Sequence, residues 1–277
     1  MFGLWGSAKA AKGRRRIGLA LGSGGARGLA HLGVLQRFAE WGLSFDCVAG
    51  TSIGAIAGAV LAAGRVDAVA AWAEELDWRT MARLFAGRPH STGLLTGRQI
   101  DRQLRAFIPL ANYEDAPFPF ATVATDIATG SEVVVSEGDL LSGVHASFAI
   151  PGVFTTVERD GLQLVDGGVV NPLPISVCRE VLGADAVVAV DINLRDGAGP
   201  RRTPRGRLNI FQVLANTIGY MEKEASRALV FAQAPDVLIQ PAVGDIATLD
   251  FMRAREAIAA GRAAADEMRP AVEALFA

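Results

Sequence analysis

The chain has 277 residues, 51% of them hydrophobic and 20% charged, with a formal net charge of −2. Such a composition gives ample core with no sign of disorder throughout, and in a near-neutral protein the local basic patches are too sparse to suggest a nucleic-acid binder. Two cysteines, Cys47 and Cys178, cannot build a disulfide framework and are expected as reduced core residues of a cytoplasmic protein.

The first sixteen residues read as a basic and aromatic tail. Met1-Phe2-Gly3-Leu4-Trp5 precedes Lys9, Lys12, Arg14, Arg15 and Arg16, with no acid among them. A secretory signal has the opposite order, charge before a longer apolar stretch. Two readings fit: a solvated tail, or peripheral contact with the anionic inner face of a membrane at about 1 kcal/mol per basic charge. Glycine or charge interrupts every apolar run well short of the roughly 20 residues of a membrane-spanning helix.

Ile17–Leu21 reads as a short buried strand. It runs into Gly22-Ser23-Gly24-Gly25-Ala26-Arg27-Gly28, after which Leu29, Leu32, Val34, Leu35 and Phe38 follow a helical pattern. A loop of this kind presents bare N–H groups to an anion, either a phosphate or the oxyanion of acyl transfer. The dinucleotide fingerprint fits less well: Ser23 takes its first glycine position, and Asp46 precedes the second strand where the fingerprint needs an acid after it.

The next apolar run, Phe45–Ala49, leads into Gly50-Thr51-Ser52-Ile53-Gly54 and a helix that buries Ala55, Ile56, Ala57, Val60 and Leu61. This G-x-S-x-G at a strand-to-helix turn is the layout of a nucleophile elbow, in which glycines make room and the serine hydroxyl projects above the sheet edge. Further strands are expected at Phe120–Ala124, Glu132–Val135, Phe154–Val157, Leu162–Val165, Ala186–Val190 and Val237–Ile239. Their alternation with helical patterns predicts an α/β fold with helices on both sheet faces, as one domain over 17–277 with a helical C-terminal region from about 206. The basic, Pro/Gly-rich stretch from Arg195 to Arg207 reads as a mobile loop.

A nucleophilic serine needs a base, and no histidine suits. His31 falls at the start of the first helix, His90 beside Pro89 in a linker, and His145 on a small-residue helical stretch before Ile150-Pro151. A carboxylate must then serve, and Asp166-Gly167-Gly168 supplies one directly after Leu162–Val165, although Asp-Gly-Gly is also an ordinary turn. Asp126, Glu158 and Asp191 stand isolated in sequence, which favours solvated or capping roles. No metal-ligand cluster is visible and no cofactor is implied.

Gly22 to Gly28, Gly50 to Gly54 and Asp166 to Gly168, in that order, resemble the patatin-like phospholipase family. The likeness extends through Ala26 to Leu35, Ala146-Ser147-Phe148-Ala149-Ile150-Pro151-Gly152-Val153-Phe154 and Asp166 to Pro174, and so covers roughly residues 16 to 192. The resemblance implies a three-layer α/β/α sandwich with a mainly parallel central sheet. It implies a Ser-Asp dyad of Ser52 and Asp166 that cleaves fatty acyl esters of phospholipids or lysophospholipids without calcium. The N–H groups of Gly24, Gly25 and Arg27 would form the oxyanion hole, supported by Gly22, Gly28, Gly50, Gly54, Gly167 and Gly168. Acyl transfer to an acceptor other than water, or non-catalytic lipid or nucleotide binding, are the alternatives. The Arg27 side chain has two readings, a contact to substrate phosphate or a carboxylate pair that pins the loop. The stretch from Trp72 to Phe107 reads either as core or as the wall or lid of an acyl channel, with Trp78 and Phe85 as its expected contacts.

Overall fold

The computed structural model describes residues 14–84, 93–95, 97–195 and 210–277. In chain order it runs β1 (Ile17–Leu21), α1 (Leu29–Glu40), β2 (Cys47–Thr51), α2 (Ile53–Ala62), α3 (Val66–Glu74), α4 (Trp78–Leu84), β3 (Gly93–Leu95), α5 (Arg98–Phe107), β4 (Phe120–Asp126), β5 (Glu132–Val135) and α6 (Leu140–Phe148). Then follow β6 (Gly152–Phe154), β7 (Val157–Arg159), β8 (Leu162–Asp166), β9 (Ala186–Val190), α7 (Ile210–Gln233), β10 (Val237–Ile239) and α8 (Ala254–Phe276). The main sheet has eight strands in the order β10-β9-β1-β2-β4-β8-β7, with β5 paired to β4. From β10 to β4 every pairing is parallel, and β5, β8 and β7 pair antiparallel.

The period-two alternation of strand side chains sorts the core into two layers. Ile17, Leu19 and Leu21 of β1, Val48 of β2 and Val188 and Val190 of β9 face a large cluster shared with α1, α2 and α8. Ala20, Cys47, Ala49, Val187 and Ala189 point the other way, toward Leu173, Ile175, Val177 and Cys178 and toward Leu229 and Val230 of α7. The result is helix, sheet and helix in three layers, with both cysteines buried as free thiols in the second. Among the described residues no helix is long and apolar enough to cross a membrane.

β4 and β8 run past their expected ends to Asp126 and Asp166, and two further strand expectations shift. The second strand is Cys47–Thr51, two residues later than Phe45–Ala49, because Phe45 turns out of the sheet to pack its ring against Phe38 and Phe276. The expected strand Phe154–Val157 is divided between β6, which pairs β3 in a separate small sheet, and β7, which pairs β8. β3 itself carries no alternating pattern in its three residues and was not expected.

Of the N-terminal tail, residues 1–13, including Lys9, Lys12 and the aromatic tip, lie outside the described residues, as do His90, Phe85 and 196–207 of the basic loop. Arg14 and Arg15 are tied to the body by ion pairs with Asp46 and Asp236, the latter at 2.8 Å.

Candidate active site

Strand β4 brings the two ends of the site together. On one edge β5 pairs residues Thr122 to Thr125. The opposite edge is shared: β2 runs parallel along it until Thr51 stands opposite Val123, and β8 runs antiparallel until Asp166 stands opposite Ala124. Two strands thus meet end to end on consecutive residues of a third. Ser52, the next residue after β2, therefore lies beside Asp166, the last of β8.

Ser52 has φ 56° and ψ −120°, a left-handed backbone rare for a residue with a side chain. Strain of this kind costs of the order of 1–3 kcal/mol and persists only where the surroundings fix it. Here they do so. Gly54 lies so close to β1 that a Cβ on it would stand 2.1 Å from the Leu21 carbonyl oxygen, and the Ser52 N–H donates to Ser147 Oγ at 2.9 Å. At the N-terminus of α2 a serine hydroxyl ordinarily caps the helix. In Ser52 it does not: Oγ donates instead to Asp166 Oδ2 at 2.6 Å.

Asp166 is 2% exposed, and its second oxygen accepts from the Gly168 N–H at 2.8 Å. Burial pushes its carboxyl up to about 7, against the hydrogen bonds from Ser52 and Gly168, which favour the ionised form. Thr125 Oγ1 donates to the Asp166 carbonyl and Thr51 Oγ1 to that of Asn171, so both strand ends are latched through side chains. A carboxyl held this way takes a proton from a bound hydroxyl readily near neutrality.

The glycine loop leaves β1 beside the elbow, because parallel neighbours end at the same sheet edge. Gly22 and Ser23 donate their N–H groups to the carbonyls of Val190 and Pro172, and Ala26 donates to Thr248. Gly24 stands against Ile192 and Asn193, while Gly25 borders the same cavity as Ser52. Gly28 abuts Ile53, Gly50 abuts Gly54, and Gly167 abuts the Val123 carbonyl. His31 is fully buried and donates from Nε2 to the Gly22 carbonyl at 2.8 Å, with burial lowering its pKa to about 4, so the ring is neutral and holds the loop. His145 bonds Asp101 at 2.9 Å and stacks on Phe148; neither histidine bonds Ser52.

Arg27 turns inward from the loop. Its Nε donates to the Gly24 carbonyl at 3.1 Å, and its guanidinium faces Glu222 and Asp191. The bond to Gly24 ties the side chain to its own loop, but Nη2 is buried with no hydrogen-bond partner among the described residues, so the carboxylate pair of the loop-pinning reading is not formed. Asp191, expected to be solvated or capping, does accept from the Asn193 N–H at 2.8 Å, but it is fully buried, and burial pushes its carboxyl up to about 6. Asp126 caps its own turn by accepting from Ala128 N–H and Thr129 Oγ1, and Glu158 is exposed. The Asp46 carboxylate accepts from the Ile17 N–H at the start of β2, at the opposite strand end from that required for a nucleotide ribose.

A cavity of about 140 Å³ opens from Ser52, Ile53 and Gly25. Its walls are Leu29, Ile56, Val69, Trp72, Met81, Leu84, Leu104, Phe107, Phe148, Phe154 and Phe251. The insertion that follows the elbow therefore supplies much of this wall, but through Trp72 and Phe107, whose rings meet at 5.5 Å, and not through Trp78, which is 68% exposed. Ser147, the partner of the Ser52 N–H, carried no sequence signal beyond its place in a family phrase.

A sequence profile described as patatin-like phospholipase matches residues 19–179. The chain belongs to the patatin-like phospholipase family. The patatin region so defined contains the glycine loop, the elbow and Asp166, while α7, β10 and α8 lie beyond it. An uncharacterized NTE family protein of Mycobacterium tuberculosis is 38% identical over 218 residues, which are 78% of this chain and 60% of that protein. A second NTE family protein of the same species is 34% identical over 91% of this chain and 46% of its own length. Patatin-like phospholipase domain-containing protein 7 of Rattus norvegicus is 34% identical over 65% of this chain but only 14% of its own. The chain thus spans about half the length of the curated relatives it matches. Among solved structures, VipD from Legionella pneumophila aligns over 93% of this chain and 68% of its own, with TM-score 0.47 and 15% identity.

Proposed function

We propose that this protein is a serine acyl hydrolase that cleaves fatty acyl esters of phospholipids or lysophospholipids through a Ser52–Asp166 dyad and an acyl-enzyme. The observation that carries this reading is the 2.6 Å hydrogen bond from Ser52 Oγ to a buried carboxyl at the mouth of an apolar cavity. In acylation Asp166 accepts the hydroxyl proton as Oγ attacks the ester carbon. The N–H groups of Gly24 and Gly25, with that of Arg27, receive the oxyanion, and α2 aims its N-terminus at the same charge. Asp166 returns its proton to the leaving alcohol, then draws one from the water that attacks the acyl-enzyme, so one base serves both halves. Lipid substrates accord with the family's name and with the apolar wall, which is suited to an acyl chain.

The reading is tested by exposing the protein to a fluorophosphonate and to p-nitrophenyl esters and a lysophospholipid. Covalent labelling at Ser52 together with ester turnover supports it. Neither labelling nor turnover would sink it.

Two expectations follow from the geometry. Because Asp166 works as a base only when ionised, and its carboxyl stands at about 7, kcat/KM should rise with pH along a limb centred near pH 7. A limb centred near pH 4 would mean a solvated carboxylate and a different base. Trimming the cavity wall by Trp72→Ala or Phe107→Ala should lower kcat/KM on long-chain esters about tenfold more than on short-chain ones. Equal losses on both would mark these rings as core alone.

A further inference from the structure

A second carboxyl lies next to the dyad, on an element outside the matched region. Glu222 sits on α7, which packs on the turn after β8, and it is 5% exposed. A Cβ built on Gly168 would stand 2.0 Å from Glu222 Oε1 and 3.1 Å from Asp166 Oδ1, so the two carboxyls flank one methyl-sized space. The remaining groups facing Glu222 are Arg27 and Ser23 of the glycine loop and Asp191 after β9. On its own helix, Tyr220 faces Arg27 and Lys223 faces Asp191. Two buried carboxyls, Glu222 and Asp191, therefore face the Arg27 guanidinium, and the third, Asp166, faces Glu222.

We propose that Glu222 is a positioning residue of the Ser52–Asp166 dyad: it keeps a proton while Asp166 is ionised, so that the buried carboxyl pair carries a single negative charge. Arg27 and Lys223 offset two carboxylates, and full ionisation of all three would leave one uncompensated charge in a dry site, which is costly. With Glu222 neutral the charge count closes through the reaction. Ser52 gives its proton to Asp166, the bond from Oγ to the acyl carbon forms, and the one negative charge moves from Asp166 to the oxyanion. With Glu222 ionised the oxyanion would form beside a second fixed anion. Burial and the neighbouring Asp166 both push the Glu222 carboxyl upward, in the same sense.

The inference rests on the hydrolase reading and is tested with Glu222→Gln, which keeps the shape and cannot ionise. Wild-type kcat/KM should fall again on the alkaline side of its optimum, and Glu222→Gln should remove that fall, raising the ratio of activity at pH 9 to that at pH 7 at least about fivefold. A purely structural glutamate would leave the ratio unchanged. The second readout needs no activity. A carboxyl whose folded pKa lies above its unfolded one loses stability as pH rises between the two, so Tm of Glu222→Gln minus that of wild type should increase from pH 5 to pH 9. A flat difference together with an unchanged ratio would show Glu222 ionised throughout as a partner of Arg27, and would overturn the proposal while leaving the hydrolase reading standing. No turnover by wild type would instead overturn the hydrolase reading and the part of Glu222 in it.

Discussion

Asp166→Asn will lower turnover of a lysophospholipid by about 10³- to 10⁴-fold while leaving the protein folded, and Ser52→Ala will reach a similar floor. Asparagine can still accept from the Gly168 N–H, so the turn after β8 survives, but it cannot take the serine proton. The double variant should be no worse than either single one, because the two side chains act as a unit. Stability should move the other way. The Asp166 carboxyl stands at about 7 in the folded protein and near 3.8 when unfolded, so the folded state holds the extra proton between those values. Wild type therefore loses stability as pH rises through that window, whereas the asparagine variant does not. Its Tm should exceed that of wild type by several degrees at pH 8, and the gap should close toward pH 4. Activity of Asp166→Asn within tenfold of wild type would show that the base lies elsewhere, and a Tm gap that does not change with pH would show that Asp166 carries no burial penalty.

Gly25→Ala is the second large effect, a loss of about 10²- to 10³-fold in kcat with little change in KM, as expected when an oxyanion donor is displaced. Gly25 has φ +60°, and an added Cβ would stand 2.3 Å from the Thr248 carbonyl oxygen. That oxygen belongs to backbone and is already fixed by the Ala26 N–H at 2.8 Å, so the loop has to move instead. Gly42 gives the matched control. It too has a positive φ, +68°, yet an added Cβ meets nothing within 4 Å, so Gly42→Ala should cost some stability and spare kcat. Equal kcat in the two variants would remove the glycine loop from the reaction.

The parts of this fold that were legible in sequence are those that glycine or alternation dictates. β1, β5, β9 and β10 match their expected bounds because apolar runs there are short and sharply ended. Ser52 and Asp166 were visible because each sits in a turn that only glycine neighbours permit. Glu222 was not, since one glutamate on a long amphipathic helix has no local signature, and its burial comes from packing α7 on residues more than fifty positions earlier. Asp191 makes the capping bond expected of it, to the Asn193 N–H, but its complete burial likewise has no local signature. Among the aromatics of the insertion, spacing could not separate Trp72, which lines the cavity, from Trp78, which faces solvent.

β4 sets the distance between the ends of β2 and β8, and Ser147 and Ala149 brace Ser52 and Asp166, whereas none of the described residues of α3, α4 and α5 bonds to either side chain. Those three helices nevertheless supply much of the cavity wall, including Val69, Trp72, Met81, Leu84, Leu104 and Phe107. Insertions, deletions or wholesale replacement of α3, α4 and α5 can thus reshape what the cavity admits without disturbing the two atoms that meet beside it. Selectivity in such a scaffold is free to drift under mutation while reactivity stays anchored, and a loop library confined to residues 66–107 would search the one without risking the other.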